Sequence, residues 1–201
     1  MRTALLMTAA LLSSAAIAKN DAALIAENAN LPDGRRLGRG IALCVVDASR
    51  QRMVVSLGGA TNLGYRVSTA SAGLGEKAGS NQTPRGWHRV AVRIGKGAPV
   101  GQVFKARAAV PGKILNERTW QNSQEDLVVS RILWLDGLEP GFNKGKGHDS
   151  KSRYVYIHGT GQEAKLGTPA SHGCIRMANR DVVALFDLLE PYNDIFVRIV
   201  E

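Results

Sequence analysis

From Gly40 onward the chain is a succession of short β-favouring runs separated by polar, glycine-containing turns. This feature narrows the possible folds most, because runs of this length bounded by turn residues predict strands of an antiparallel sheet. At 201 residues the chain can bury one core, so we expect a single domain. We predict a mostly β fold with strands at residues 41–47, 52–57, 65–70, 87–94, 102–110, 127–135, 154–157 and 195–200.

Two helices interrupt the β pattern. Residues 21–28, capped by Asp21, predict a short peripheral helix, followed by turn and linker over residues 31–40. A second helix begins near Asn179 and ends before Pro191. Its apolar residues follow the i, i+3, i+4, i+7 spacing of a helix that packs on a sheet through one face. These residues are Val182, Leu185, Phe186 and Leu189.

Three polar segments, residues 71–82, 111–126 and 136–152, predict loops. Long loops in a compact domain usually cover or bind something, so we expect the first and third to flank a substrate groove. An anion cradle is the alternative for residues 71–82, although the P-loop pattern is missing.

Residues 1–18 resemble a cleaved signal peptide, with Arg2, a short apolar run and the small-residue pattern Ala16-Ile17-Ala18. A membrane anchor is the alternative, but the apolar run is about 15 residues where a spanning helix needs roughly 20. We therefore expect an exported protein, periplasmic or facing the cell wall, without stable membrane insertion. The implied segments are 1–18, an N-terminal helix and linker at 19–39, and the main domain at 40–201.

The formal net charge is +9, and it falls to +8 when Arg2 is removed with the signal peptide. Outside the cytoplasm such a charge favours acidic wall polymer or a membrane surface as partner. The basic residues are scattered and aromatic residues are few, which argues against a nucleic-acid partner.

The two cysteines, Cys44 and Cys174, differ in their surroundings. Cys44 lies in an apolar run, where a free cysteine acts as a small buried hydrophobe. Cys174 lies in a polar loop after a glycine, where a reactive thiol would be presented. The alternative for an exported chain is a structural disulfide between the two.

The stretch Ser171-His172-Gly173-Cys174 predicts a cysteine nucleophile, because a thiol needs a histidine or an electropositive backbone pocket for activation. Two histidines compete as the base. His158 follows a predicted strand and is favoured, whereas His172 shares the segment of Cys174 and is better placed to orient it. No carboxylate partner for His158 is evident, so a backbone carbonyl is expected to serve.

Gly173 would let the backbone approach a substrate and direct its N–H, with that of Cys174, toward a developing oxyanion. Arg176 is expected either as a solvated charge or as a partner for a substrate carboxylate. We expect neither a metal nor a cofactor, because zinc needs about four ligands and the unassigned histidines are His88 and His148.

Taken together, His158-Gly159-Thr160 and Ser171 to Met177 resemble the L,D-transpeptidase catalytic domain, or YkuD, family. Val67-Ser68-Thr69 and Thr83-Pro84-Arg85-Gly86 extend the resemblance over about Gly40 to the C-terminus. Arg176 stands where other members carry asparagine, and the twelve residues between His158 and Ser171 form a short loop for this family.

The resemblance implies a β-sandwich with a helix after the catalytic cysteine. It implies Cys174 as nucleophile, His158 as base and Gly159 as the carbonyl that orients the base. His172 and Gly173 would shape the site, and Ser171, Thr160 and Arg176 would contact substrate.

The implied reaction cleaves a peptidoglycan tetrapeptide stem and passes its acyl group from cysteine to an amine. That amine would belong to a second stem, a lipoprotein or a D-amino acid. A hydrolase on the same fold, trimming stems or releasing a bound lipoprotein, is one alternative. A non-catalytic wall-binding module with a Cys44–Cys174 disulfide is the other.

Overall fold

The computed structural model describes residues 16–17, 19–121 and 123–201. Within these ranges the chain forms ten strands and three α-helices. The strands are β1 (Ile41–Asp47), β2 (Arg52–Leu57), β3 (Thr61–Ser68), β4 (Gly86–Ile94), β5 (Gln102–Lys105), β6 (Ala108–Ile114), β7 (Val128–Gly137), β8 (Tyr156–Thr160), β9 (Ile175–Met177) and β10 (Asp194–Val200). The helices are α1 (residues 19–27), α2 (Glu117–Gln121) and α3 (Asn179–Leu188).

All ten strands belong to one sheet, in the order β4-β10-β1-β2-β3-β9-β8-β7-β5-β6. Strand β4 also pairs with β7, so the sheet folds back and closes on itself, and the β5–β6 hairpin extends from it. Among the described strands, β1 runs parallel to β10 and β8 runs parallel to β9. The predicted mostly β fold with a helix after Cys174 is confirmed, its layers being joined in a single sheet.

Strand β1 is buried along its whole length because it has a core on each face. Side chains alternate along a strand, so Cys44 and its alternate neighbours face the interior cluster with α3. Leu43 and its alternate neighbours face an outer cluster that Leu24 and Ile25 of α1 cover. Helix α1 therefore packs against the sheet rather than lying at its periphery.

Helix α3 follows the prediction closely: its four spaced apolar residues are all buried in the interior cluster. Ala178 is the N-cap residue, and Asn179 is the first residue of the helix. The side-chain amide of Asn179 donates to the carbonyl of Thr160 at 2.7 Å. This bond ties the start of α3 to the end of β8.

The first two predicted strands match β1 and β2 residue for residue. The third was placed too late, since β3 begins at Thr61 and ends at Ser68. The predicted strand at 102–110 is wrong, because the chain turns at Ala106 and Arg107 to form the β5–β6 hairpin. Both turn residues have positive φ, 49° and 71°, a conformation that Asn or Gly usually adopts, so neither residue type signals a turn.

Two further expectations need correction. Residues 111–126 are not simply a loop, since they contain the end of β6 and the whole of α2. Strand β8 runs through His158 to Thr160, so the histidine lies inside a strand and not after its end. The predicted signal peptide lies outside the described residues apart from residues 16–17. Of the helices that are described, none has the length and apolar character needed to cross a membrane.

Candidate active site

Cys174 and His158 lie on neighbouring parts of the sheet, because Cys174 directly precedes β9 and β9 pairs with β8. Ile157 lies opposite Ile175, and both side chains face the interior core. Since side chains alternate, His158 and Cys174 are placed on the opposite, outer face. A strand spacing of about 4.8 Å and an offset of two residues put their backbones roughly 8 Å apart, within side-chain reach.

The Cys174 thiol is held by the backbone at the start of β8. Its Sγ accepts the N–H of Tyr156 at 3.4 Å, and its S–H donates to the carbonyl of Tyr154 at 3.4 Å. Although the residue is partly exposed, burial of the sulfur raises the pKa of Cys174 to about 11, and the Tyr156 N–H offsets this only in part. The thiol is therefore protonated at pH 7 and needs a base before it can attack.

The His158 imidazole is 3% exposed and bonds to the backbone of the next residue. Its Nδ1 lies 2.7 Å from the carbonyl oxygen of Gly159. A carbonyl can only accept, so Nδ1 carries the hydrogen. Burial lowers the pKa of His158 to about 4, against the Gly159 hydrogen bond, which raises it. The imidazole is thus neutral at pH 7, and Nε2 is left as the proton acceptor.

The cysteine loop has a fixed shape before β9 begins. Gly173 has φ of +127°, a conformation that favours glycine, and its carbonyl accepts the Thr83 hydroxyl at 3.0 Å. The Ser171 hydroxyl donates to the Cys174 carbonyl at 2.6 Å and accepts the Gly173 N–H at 3.2 Å. Because the Gly173 N–H is engaged there, the Cys174 N–H remains as the candidate oxyanion donor.

A carboxylate that we did not anticipate, Asp126, joins this loop to the segment before β7. Asp126 Oδ2 lies 2.7 Å from Nδ1 of His172 and 2.6 Å from Nη2 of Arg176. Burial raises the pKa of Asp126, but the His172 hydrogen bond and the Arg176 charge outweigh it and hold the pKa below its usual value. The carboxylate is therefore charged at pH 7.

Arg176 is buried, with 1% of its surface exposed. Its Nη1 donates to Gln162 Oε1 at 3.1 Å, and the short Nη2 contact with Asp126 is an ion pair without good hydrogen-bond alignment. Its Nε has no hydrogen-bond partner among the described residues. A buried guanidinium needs a counter-charge, so Asp126 and Arg176 form a structural pair.

A cleft of about 330 Å³ opens beside Cys174. It is lined by residues of the 71–82 loop, by the 152–155 segment and by the cysteine loop: Ala78, Gly79, Asn81, Ser152, Arg153, Tyr154, Val155, His172, Gly173 and Cys174. The predicted 136–152 loop contributes its last residue and meets the first loop where the Ala78 N–H donates to the Gly147 carbonyl at 2.7 Å. A larger cleft of about 600 Å³ includes neither Cys174 nor His158, so chemistry rather than size identifies the candidate site.

Arg153 holds the 71–82 loop against the cleft. Its guanidinium donates to three loop carbonyls, those of Gly75 at 3.2 Å, Glu76 at 2.7 Å and Gln82 at 2.6 Å. Burial lowers the pKa of Arg153, and the charge of Glu76 opposes this shift. Three hydrogen bonds, two to the middle of the loop and one to its end, fix its position over the cleft.

The structure does not expose the three residues predicted to contact substrate. Ser171 is 1% exposed and shapes the loop, and Thr160 is fully buried with its hydroxyl accepting the Gln162 N–H at 3.1 Å. Arg176 is neither solvated nor free for a substrate carboxylate, because it pairs with Asp126. His172 is exposed at the cleft.

The structure also shows the surroundings of the two cysteines and of His88. Cys44 and Cys174 are both free, and β1 is separated from β9 by two strands, or roughly 14 Å, far beyond disulfide reach. His88 is buried and bonds through its two ring nitrogens to the Gly86 carbonyl and the Ser150 hydroxyl.

Sequence reasoning missed Asp126, Arg153 and Tyr156. Asp126 is 46 residues from His172, and no local spacing connects them. Arg153 precedes a predicted strand in a polar segment, which is a weak signal for a cleft residue. Tyr156 acts through its backbone N–H, which no side-chain pattern could reveal.

The comparison with known families gives one match. The sequence model of the L,D-transpeptidase catalytic domain, YkuD, matches residues 42–197. A search of proteins with curated descriptions found no match.

Solved structures with similar folds include an L,D-transpeptidase from Mycobacterium smegmatis, at 15% identity and TM-score 0.47, covering 80% of this chain and 58% of that one. L,D-transpeptidase 3 from Mycobacterium tuberculosis, solved with a faropenem-derived adduct, has 15% identity and TM-score 0.47, covering 80% and 60%. An L,D-transpeptidase from Xylanimonas cellulosilytica has 18% identity and TM-score 0.45, covering 86% and 68%. The chain thus spans less than two thirds of the first two structures.

The family match runs from the second residue of β1 to the middle of β10 and includes both His158 and Cys174. Its span of residues 42–197, well over half of the 201 residues, decides the assignment. The chain belongs to the L,D-transpeptidase catalytic domain family.

Proposed function

We propose that the protein is an exported cysteine L,D-transpeptidase that acts on peptidoglycan tetrapeptide stems. Cys174 is the nucleophile, His158 is the base, and the Gly159 carbonyl orients the base. The observation that carries this proposal is the hydrogen bond from His158 Nδ1 to the Gly159 carbonyl. It fixes the tautomer, so that Nε2 is the unprotonated nitrogen that can accept the thiol proton.

In the first step, the S–H of Cys174 turns from the Tyr154 carbonyl toward His158 Nε2. The sulfur attacks the carbonyl at the L-centre of diaminopimelate, and the proton passes to the imidazole. The C–N bond to D-alanine then breaks, and the imidazolium returns the proton to the leaving amine. The product is a thioester on Cys174, and the Cys174 N–H is placed to stabilise the oxyanion that precedes it.

In the second step, an amine attacks the thioester and the thiol is regenerated with the proton that the amine loses. The amine belongs to a second stem, a lipoprotein or a D-amino acid. Water is the competing acceptor, and a hydrolase that trims stems or releases lipoprotein is the second candidate. Thioesters react readily with amines, which favours transfer.

The cellular location that we propose is the periplasm or the wall face. Residues 1–18 have the composition of a signal peptide, and the net charge of +9 suits an acidic wall polymer.

The test uses purified protein incubated with sacculi, followed by mass spectrometry of the released muropeptides. We expect cross-linked dimers from the wild type and none from Cys174→Ala. Cys44→Ala is the matched control, because Cys44 is buried in the core and away from the cleft. Shortened stems without dimers would favour the hydrolase, and activity in Cys174→Ala would refute the nucleophile.

A second readout is the covalent adduct with a carbapenem, a class that this family is implied to bind. The adduct should form on the wild type and on Cys44→Ala, with the mass increase located on Cys174. A wild-type protein that neither forms the adduct nor alters sacculi would contradict the proposal.

A further inference from the structure

A cluster of one arginine and three aromatic residues adjoins the catalytic cysteine. The Arg107 guanidinium lies 4.9 Å from the centre of the Trp134 ring and 4.7 Å from that of the Tyr154 ring. Its Nη1 donates to the Tyr156 hydroxyl at 3.3 Å. We call these four residues the Arg107 cluster.

Two residues of the Arg107 cluster have an unusual backbone conformation. Arg107 is the second residue of the β5–β6 turn, with φ of 71°, and Tyr154 also has a positive φ of 58°. Non-glycine residues rarely adopt this conformation, and such strain tends to occur at functional sites. Tyr154 is also 51% exposed, so burial of its ring does not explain the conformation.

The cluster is directly connected to the nucleophile. The Tyr156 N–H and the Tyr154 carbonyl are the two hydrogen-bond partners of Cys174 Sγ. Tyr154 also lines the cleft beside Cys174, across from the 71–82 loop. Tyr154 thus connects the cleft with the Arg107 guanidinium, which lies 4.7 Å from the centre of its ring.

Arg107 differs from the other two arginines near the site. Arg153 is engaged with three loop carbonyls, and Arg176 is buried against Asp126. In the part of the chain that the structure describes, no carboxylate forms an ion pair with Arg107. Arg107 is thus a partly buried cation without an ion-pair partner among the residues described.

We infer that Arg107 recognises a carboxylate of the stem peptide that reacts at Cys174, and so determines specificity for the free acid. The inference rests on the proposed function and adds the group that selects the substrate. The guanidinium lies against two adjoining rings whose centres are 5.8 Å apart, and a planar guanidinium is the group that binds carboxylate bidentately. Because the rings already hold the side chain, little ordering cost opposes binding.

The stem has two candidate carboxylates near the scissile bond: that of the terminal D-alanine and that of the D-centre of diaminopimelate. The experiment separates them. Three synthetic tetrapeptides are used: the free acid, the D-alanine amide and the diaminopimelate D-centre amide. Binding to the Cys174→Ala protein is measured by calorimetry, so that no turnover intervenes.

We expect one of the two amides to bind about tenfold more weakly than the free acid, as for loss of one charge-assisted hydrogen bond at a partly exposed site. Adding Arg107→Gln, which keeps the side-chain stem, should reduce this ratio to near one. Arg107→Lys should keep part of it, because the charge remains without the planar fork. Lys105→Gln is the matched control on the same hairpin, and it should keep the full ratio.

Equal binding of the acid and both amides to the Cys174→Ala protein would overturn the inference, as would a ratio unchanged by Arg107→Gln. Either result leaves the proposed function standing. Failure of all three peptides to bind, together with no activity of the wild type on sacculi, would refute the proposed function itself.

Discussion

Replacing Asp126 by asparagine removes the carboxylate that faces the buried Arg176. Breaking a buried ion pair from one side costs about 3–5 kcal/mol, because the remaining charge stays desolvated. The Asp126 side chain is 32% exposed, so solvent screens the pair and the cost falls. We therefore expect Asp126→Asn to lower the free energy of unfolding by about 2 kcal/mol.

Urea denaturation at pH 7 measures this change, and a double-mutant cycle with Arg176→Met isolates the pair. Once Arg176 is apolar, loss of the Asp126 charge should cost little, so the coupling free energy should be about 2 kcal/mol. Glu125 is the matched control: it adjoins Asp126 and pairs with Lys113, with side chains 65% and 46% exposed. Glu125→Gln should change the free energy of unfolding by less than about 0.5 kcal/mol.

The pH dependence of the free energy of unfolding tests the same ion pair. The pKa of Asp126 is lowered on folding, so its contribution is complete above the unfolded pKa of about 3.9 and is lost as pH falls through the folded pKa. The wild type and Asp126→Asn should therefore converge in acid. A coupling below about 0.5 kcal/mol, equal to that of exposed pairs, would refute the assignment of Asp126 and Arg176 as a structural pair.

Three further predictions concern other groups. Burial lowers the pKa of His88 from 6.5 to about 4, so the unfolded state takes up a proton before the folded state does. The free energy of unfolding should therefore fall by about 3 kcal/mol as pH drops from 7 to 4. His88→Gln should lack this part of the pH dependence, as measured by urea denaturation at each pH. Arg153→Met should speed amide hydrogen exchange in the 71–82 loop roughly 30-fold, as for loss of about 2 kcal/mol of charged hydrogen bonding. An unchanged rate would mean that Arg153 does not hold the loop. Because the pKa of Cys174 is raised to about 11, iodoacetamide labelling should accelerate about tenfold per pH unit from pH 7 to 10, and a plateau below pH 8 would contradict a neutral thiol.

The sequence predicted the fold where a pattern is local. Two short β-favouring runs flank a polar turn at β1 and β2, and both strands have the expected bounds. Helix α3 was predictable because 3.6-residue spacing places four apolar side chains on one face. The β5–β6 turn was not predictable, since Ala106 and Arg107 adopt a conformation that their residue types disfavour, and tertiary contacts of Arg107 stabilise it.

The closure of the sheet could not be predicted either. The pairing of β4 with β7 joins residues far apart in the chain, from Ile94 with Ile132 to His88 with Gly137. It depends on twist and on the total number of strands, which no short window contains. Short-range patterns therefore predicted the strands and left their order open.

In the candidate site, too, local sequence predicts some placements, whereas others depend on the fold. The proximity of His172 to Cys174 follows from two residues of chain, and His172 is at the cleft. The place of His158 depends on the parallel pairing of β8 with β9, which sets its side chain on the same face as Cys174. The Arg176 side chain lies on that face as well. Because it is buried it needs a counter-charge, and Asp126, in the segment before β7, provides it. The residue predicted to meet a substrate carboxylate thus meets a carboxylate of the protein. Arg107, which contacts Tyr154 and Tyr156, has no such ion pair with any carboxylate that the structure describes.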